Sequence, residues 1–310
     1  MDGSEISMRS PPRAGQPATG MALMLLAMSL VPVMDGLAKL LTARYPTLEV
    51  VWARYFFHVA ALLPFMLWRY GRQAFVTYQP GLQMLRSVVV LIATFCFFGA
   101  IADIPLADAL AIVFVYPFVV TALSPLLLGD RVGVWRWSAV MTGFVGTLII
   151  IRPGFQAFSP AMLLALGTGI SYAAYVILTR KLAGADRPLV TLLMMGVFGT
   201  VVTTLLVPFV WVTPTPGDLA VMVAVGVLAA IAHYMIIVAH ELASAPQLAP
   251  YSYVEIVAAT VVGYVMFQDL PETTTWIGIA VIVTSGVVIA LREAAVSKRA
   301  RREQGPVPGA

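Results

Sequence analysis

Ten stretches of about twenty mostly apolar residues follow one another along this chain, separated by short interruptions. A helix rises about 1.5 Å per residue, so each stretch is long enough to cross the roughly 30 Å hydrocarbon core of a bilayer. The stretches cover residues 20–41, 47–68, 83–102, 105–128, 134–152, 159–180, 188–211, 217–239, 246–267 and 273–292. Their interruptions carry charge or turn chemistry: Arg44 to Pro46, Trp68 to Arg72, Asp103 to Pro105, Gly129 to Arg131, Arg152 to Gly154, Arg180 to Pro188, Pro214 to Gly217, Ala245 to Pro246 and Asp269 to Pro271. None has room for a soluble domain. Charged residues make up 11% of the 310 residues and hydrophobic residues 60%. Soluble domains carry about 25% charged residues, so lipid must solvate most of this surface. The sequence predicts an all-α membrane protein with the bilayer as one partner.

Several function classes are set aside at once. A single cysteine, Cys96, gives no disulfide framework. No Cys and His cluster has metal-ligand spacing, so neither a metal nor another cofactor is expected. The net charge of +4 does not imply nucleic acid, because the positive residues sit at segment ends. Residues 1–19 are polar and rich in Pro and Gly and read as a disordered tail. The apolar run that follows continues to about Leu41, too long for a signal peptide, and reads as a retained first helix.

Charge placement orients the chain. With the N-terminus and the even-numbered connections on one side, that side holds fifteen of the nineteen Lys and Arg residues, Arg86 counted among them. The other side holds Lys39, Arg44 and Arg152. The positive-inside rule then places both termini in the cytoplasm of a multi-pass inner-membrane protein, which requires an even number of spans. The basic tail over 293–310, with Lys298 to Arg302, is expected to lie against anionic lipid.

The two halves of the chain resemble each other. A shift of 142 residues brings Ser29 onto Ser171, Lys39 onto Lys181 and Pro46 onto Pro188. Further along, a shift of 139 brings Asp130 onto Asp269 and Trp137 onto Trp276, and one more residue of slippage brings Gly146 onto Gly286. Each half holds five spans. Five is odd, so the second half enters the membrane inverted. Inverted repeats recur in secondary transporters, with the substrate site near the midplane between them. The expected organisation is a first repeat over 20–152 and a second over 156–292, around a central cavity.

Charges inside spans are expensive and are functional candidates by default. Glu255 lies about nine residues into the ninth span, near the midplane. Tyr251 and Ser252 fall on the same face if that helix is continuous. Arg54 and His58 are one turn apart on the second span. Arg54 suits a carboxylate ligand or a bridge to Glu49, and His58 a proton relay or a packing residue. Asp35 and Lys39 have the spacing of a helical ion pair, and Asp35 is also deep enough to meet Arg54. His233 reads as packing. In the fourth span, Pro117 frees a backbone carbonyl, which makes Tyr116 a candidate pathway residue with Phe95 and Phe98 as apolar walls. Small residues (Ala139, Thr142, Gly143 and Gly146 on the fifth span, Ala280 and Thr284 on the tenth) read as helix-packing positions.

One set of motifs is characteristic. Residues 104–112 read Ile-Pro-Leu-Ala-Asp-Ala-Leu-Ala-Ile, followed by Tyr116-Pro117 and by Leu128-Gly-Asp-Arg131, which leads into a Gly-rich span ending Ile151-Arg-Pro153. The second half carries Ala249-Pro-Tyr-Ser-Tyr253 and Gly263 through Pro271. In these the chain resembles the EamA family of the drug/metabolite transporter superfamily, over residues 20–292. The resemblance implies ten helices, two inverted five-helix repeats, a central cavity and a small-molecule substrate. Relatives move amino acids, riboflavin and S-adenosylmethionine. The chain departs from the family where Gly-Glu is replaced by Gly129-Asp130 and Gln268-Asp269, and where the proline of the fourth span has Glu255 near its aligned position.

The expected function is secondary transport of a small amino-acid-like or zwitterionic metabolite, by export on a proton or substrate gradient, since no GxxxxGK[ST] loop supplies ATP chemistry. The alternatives are uptake of a vitamin or nucleotide-like metabolite such as riboflavin or S-adenosylmethionine, and a membrane-embedded enzyme.

Overall fold

The computed structural model describes residues 17–129, 133–152, 159–182, 185–243 and 245–303. The N-terminal tail through residue 16, Asp130 and Arg131, Pro153 and Gly154, and the side chains of Lys298 to Arg302 lie outside the described residues.

The described chain is helical throughout: α1 (Pro17–Thr42), α2 (Thr47–Tyr70), α3 (Pro80–Asp103), α4 (Leu106–Val113), α5 (Tyr116–Leu127), α6 (Val134–Ile151), α7 (Pro160–Leu182), α8 (Pro188–Leu206), α9 (Pro216–Leu242), α10 (Ala245–Ser252), α11 (Val254–Phe267) and α12 (Thr273–Glu303). Short 3₁₀ turns extend α2 over Gly71–Phe75 and α8 over Val207–Phe209. Prolines open α3, α7, α8 and α9, where the missing N–H has no helical partner to lose. Thr215 caps α9, its hydroxyl oxygen accepting the Asp218 N–H at 3.2 Å.

Among the described residues, seven helical segments are long and apolar enough to cross a membrane, and three shorter apolar helices occupy 137–151, 254–267 and 273–288. The spans expected at 105–128 and 246–267 are each broken in the middle. The first break falls at Phe114 and Val115 and the second at Tyr253. Large apolar side chains stay exposed around the outside, among them Leu126, Phe209 and Val265. A hydrocarbon solvent accounts for that surface.

Side-chain bonds sort the connections onto two ends. At one end Arg44 and the Tyr45 hydroxyl reach Asp218, the Val212 N–H donates to Glu49, Lys39 meets Asp269, and Arg152 meets Glu272. These groups belong to the odd-numbered connections and the helix turns beside them. At the other end Asp186, before α8, accepts from the Thr77 hydroxyl, the Tyr78 N–H at 2.8 Å and the Gln83 amide at 2.9 Å. Antiparallel neighbours joined by short loops produce this sorting. Arg86 needs a correction: it is no loop charge but sits inside α3, 3% exposed, bonded to the Thr179 hydroxyl, the Thr191 carbonyl and the Tyr175 hydroxyl.

The main packing pairs are α1 with α9, α3 with α7, α6 with α12, and α2 with α8 and α9. Gly146 and Gly278 set the approach of α6 and α12. A Cβ on Gly278 would lie 2.3 Å from Ile150 Cγ1 and 2.8 Å from the Gly146 carbonyl oxygen. Ser285 on α12 donates to the Ala139 carbonyl at 2.9 Å across the same contact.

Two predictions follow from this packing. Gly278→Ala must push α12 off α6 and cost about 1–3 kcal/mol, read as a lower melting temperature in detergent. Gly81→Ala, with no atom within 4 Å of the new Cβ, leaves the melting temperature unchanged or raised. Asp186 gives a pH dependence. Burial raises its pKa, but the hydrogen bonds from Thr77, Tyr78 and Gln83 outweigh burial and hold the carboxyl below its ordinary value. Its contribution to stability is therefore present above the unfolded value of about 3.9 and lost as pH falls through the lower folded value. Asp186→Asn removes that acid-side component, as measured by melting between about pH 3 and 6.

Candidate substrate cavity

The two helix breaks face each other across the centre of the bundle. Pro117 has no N–H to offer the Val113 carbonyl, so the α4–α5 segment unwinds at Phe114 and Val115. The freed carbonyl lies against Gly169 of α7, where a Cβ would sit 3.0 Å from it. Opposite, α10 gives way to α11 at Tyr253. The Phe114 and Tyr253 rings stack with centroids 5.4 Å apart. Gly286 of α12 leaves room for the Tyr253 ring, since a Cβ there would overlap its hydroxyl.

Beside this contact opens a cavity of about 370 Å³, within the range of small-molecule sites. Its walls are mostly aromatic and aliphatic: Phe97, Phe98, Phe114, Tyr116, Tyr172 and Tyr175, with methionines of α1. Tyr116 packs edge-on to Tyr172 at 4.9 Å, and Tyr172 stacks on Tyr175 at 5.4 Å. Tyr175 is held in turn by buried Arg86.

Two carboxyl groups and one guanidinium enter the cavity from three helices: Asp35 from α1, Arg54 from α2 and Glu255 from the first turn of α11. Asp35 lies within electrostatic reach of both Arg54 and Glu255. None of the three has a hydrogen-bond partner or an ion pair within 4 Å among the described residues. Yet none of their polar atoms is among the sealed, unsatisfied ones. Their polar ends are therefore accessible to whatever fills the cavity. Glu49 does not engage Arg54; it takes the Val212 N–H at 3.0 Å.

The structure brings Asp35, Arg54, Phe98, Tyr116, Ser252 and Glu255 to one cavity. Other expectations need correction. Tyr251 does not line it: the break at Tyr253 turns α10 away from α11, and Tyr251 packs on the Met24 and Met28 cluster. Ser252 reaches the cavity because of the break and shares no continuous helical face with Glu255. His58 sits behind the wall, its ring 6.2 Å from His233 and its Nε2 buried without a hydrogen-bond partner among the described residues. Pro117 shapes the cavity by starting α5 and does not line it. Phe97, not Phe95, joins Phe98 as a wall. Asp35 and Lys39 are not a pair: Lys39 donates to Asp269 at 3.1 Å and to the Ile104 carbonyl at 2.9 Å. His233, read as packing, lines the cavity, and so does His240, a residue the sequence reading passed over.

The cavity runs toward one end. From Asp35 and Arg54 at depth it passes Tyr175 and Val176 to Met24 and exposed His240, near the even-numbered connections. At the opposite end Lys39 ties α1 to the residues before α4 and α12. In a Cys96→Ala background, His240→Cys is expected to react with a membrane-impermeant thiol reagent added on the even-connection side. Ile104→Cys, 4% exposed beneath the Lys39 contacts, is expected to stay unmodified from either side.

Comparison with known proteins agrees with this architecture. The sequence pattern of the EamA-like transporter family matches residues 18–152 and again 159–291. The S-adenosylmethionine uptake transporter of Rickettsia prowazekii is 25% identical over 88% of this chain and 93% of its own length. The riboflavin transporter of Rhizobium johnstonii is 28% identical over 96% of each chain. The pseudopaline exporter of Pseudomonas aeruginosa is 26% identical over 87% of this chain and 95% of its own. A solved crystal structure with 19% identity superposes with a TM-score of 0.65, covering 90% of this chain and 99% of that one, and shares its fold.

Proposed function

The chain belongs to the EamA-like transporter family, and on that premise we propose that it is a secondary transporter of a small, amino-acid-like zwitterion. The observation that carries the reading is that Asp35, Arg54 and Glu255 open to the cavity with no hydrogen bond or ion pair among the described residues, the Arg54 guanidinium lying 5.0 Å over the Tyr55 ring. Removing a charge from water without a partner costs several kcal/mol, so a fold that keeps Asp35, Arg54 and Glu255 uncommitted reserves them for a ligand. Arg54 offers a planar fork to a substrate carboxylate. Asp35 and Glu255 face the ammonium end. The aromatic walls take an apolar side chain. Relatives carrying out uptake and export both occur, so transport itself is the shared property.

In our reading the chain makes ten spans as two inverted repeats, 20–152 and 156–292. The packing supports this, because exchanging the halves keeps the main helix pairs. The α1–α9 contact maps onto α7–α3, while α6–α12 and α2–α8 map onto themselves. A shift of 139 residues also brings Phe114 onto Tyr253 at the two breaks and Tyr116 onto Glu255. It brings Gly129 (φ +72°) onto Gln268 (φ +58°), the left-handed residues that follow α5 and α11. With both termini cytoplasmic, the cavity faces the cytoplasm in this conformation, ready to load substrate for export. No ATP-binding loop is present in the sequence, so a proton or substrate gradient drives the cycle.

Uptake of a larger, flat metabolite is the second reading. The Tyr116, Tyr172 and Tyr175 rings favour it, and so does the similarity to riboflavin and S-adenosylmethionine transporters.

Proteoliposomes loaded with a mixture of amino acids, riboflavin and S-adenosylmethionine distinguish the two readings by which compound leaves down its gradient, followed by mass spectrometry. Zwitterion transport predicts selective amino-acid loss. It also predicts at least a tenfold slower rate in Arg54→Ala and Glu255→Gln, the size expected for a lost charge-assisted bond of about 1.5–3 kcal/mol. Wild-type rates in both variants overturn the assignment.

A further inference from the structure

The α9 wall of the cavity carries two histidines two turns apart, His233 and His240. Each ring is anchored in the same way. His233 Nδ1 lies 2.8 Å from the Ala229 carbonyl oxygen, and His240 Nδ1 lies 2.8 Å from the Ile236 carbonyl oxygen. A carbonyl only accepts, so in both rings Nδ1 carries the proton and donates it to the helix's own backbone. In the neutral imidazole the other nitrogen, Nε2, is then a lone-pair acceptor. Neither Nε2 has a partner among the described residues. Unlike the Nε2 of His58, neither is sealed in the interior.

We infer that His233 and His240 are substrate-contacting residues that accept hydrogen bonds through Nε2 and so select a substrate rich in N–H donors. This rests on the cavity being the substrate site. The surroundings point the same way. Asp35 of α1 and Glu255 of α11 line the same cavity and are two further acceptors when ionised, while the cations within electrostatic reach of His233 are Arg54 on α2 and Arg86 behind Tyr175. His58, behind His233, offers nothing to the cavity. Acceptors thus run from the exposed mouth at His240, past His233, to the two carboxyl groups at depth. Seven residues of helix separate the histidines by about 10 Å, too far to chelate one metal ion together and well spaced to hand an ammonium or amidinium group inward. The preferred ligand is an amine-bearing molecule with more N–H groups than carboxylate oxygens.

Two probes that share a phenylethyl body and carry opposite charge test this on the purified full-length protein: phenethylammonium and 3-phenylpropionate, with binding measured by titration calorimetry. His→Asn keeps a donor near Nδ1 and deletes the Nε2 acceptor, whereas His→Gln places an amide oxygen near Nε2. The expectation is that phenethylammonium binds the wild type more tightly than 3-phenylpropionate. His233→Asn and His240→Asn should each weaken phenethylammonium binding by about tenfold, the loss of one hydrogen bond, and leave the anion's affinity unchanged. His233→Gln should restore most of the loss. Equal weakening of both probes means a structural role and overturns the inference. So does no weakening of either, tighter binding of the anion, or no binding of phenethylammonium at all. If His233→Asn is not monodisperse, His240→Asn at the exposed mouth decides by the same criteria. The outcome separates from that of the transport reading. Histidine-dependent binding without amino-acid efflux leaves the inference standing and removes the substrate assignment; efflux with histidine-independent binding removes the inference alone.

Discussion

A charge kept from bulk water must find another partner, and that requirement divides the polar residues of this bundle into two groups. One group is spent on structure. Arg86 is bonded to three groups on α7 and α8, Lys39 to Asp269 and a backbone carbonyl, Arg152 to Glu272, and Gln83 to Asp186 and Thr191. These bonds join helices that lipid alone would not hold together, because hydrocarbon gives apolar helices no hydrophobic reason to associate. Asp35, Arg54 and Glu255 form the other group, with no hydrogen bond or ion pair among the described residues and a cavity in front of them. Depth and residue type do not separate the groups; Arg86 is as buried as Asp35, each 3% exposed. What separates them is whether a neighbouring helix offers a matching group.

The backbone obeys the same rule. At membrane depth an unwound helix is tolerated only where protein or a wet cavity receives the freed groups. The breaks at Phe114 and Tyr253 are placed accordingly, stacked on one another and bordered by glycines that let α7 and α12 approach. The breaks also create the site. A continuous helix over 245–267 would have set Tyr251 and Glu255 on one face. The interruption instead sends Tyr251 to the Met24 cluster and leaves Ser252 and Glu255 beside the cavity.

This explains which parts of the structure were legible in the sequence. Helix positions were, because hydropathy and proline placement are local properties; observed and expected limits differ by only a few residues except at the end of α12, which continues to Glu303 where a tail was expected from residue 293. Deep charges were legible as candidates for the same reason, and Asp35, Arg54 and Glu255 do converge. Partnership was not legible, being set between helices far apart in sequence. Asp35 and Lys39 have the spacing of an ion pair, yet Lys39 turns to a residue 230 positions away. Arg86 counted as a loop charge because its three partners lie on α7 and α8. The break at Tyr253 had no proline at the aligned position to announce it, and the extrapolation from Glu255 to Tyr251 failed there. The cavity role of His233 was hidden because a lone histidine in an apolar run looks the same in sequence whether it faces a neighbour or a void.

The two groups of charges meet on α1. Asp35, which faces the cavity, and Lys39, which ties the odd-connection end together, are one turn apart on one rigid helix. Asp269 and Ile104, the partners of Lys39, adjoin α11 and α4, the halves of the broken segments nearest that end. On the transport reading proposed above, a cycle that opens that end separates Lys39 from both partners. A movement of α1 that does so also carries Asp35 relative to Glu255 on α11. Occupancy of the acidic side of the cavity and closure of the far end are thus linked through a single helix. Alternating access, which the proposed transport reading requires, would act through these contacts.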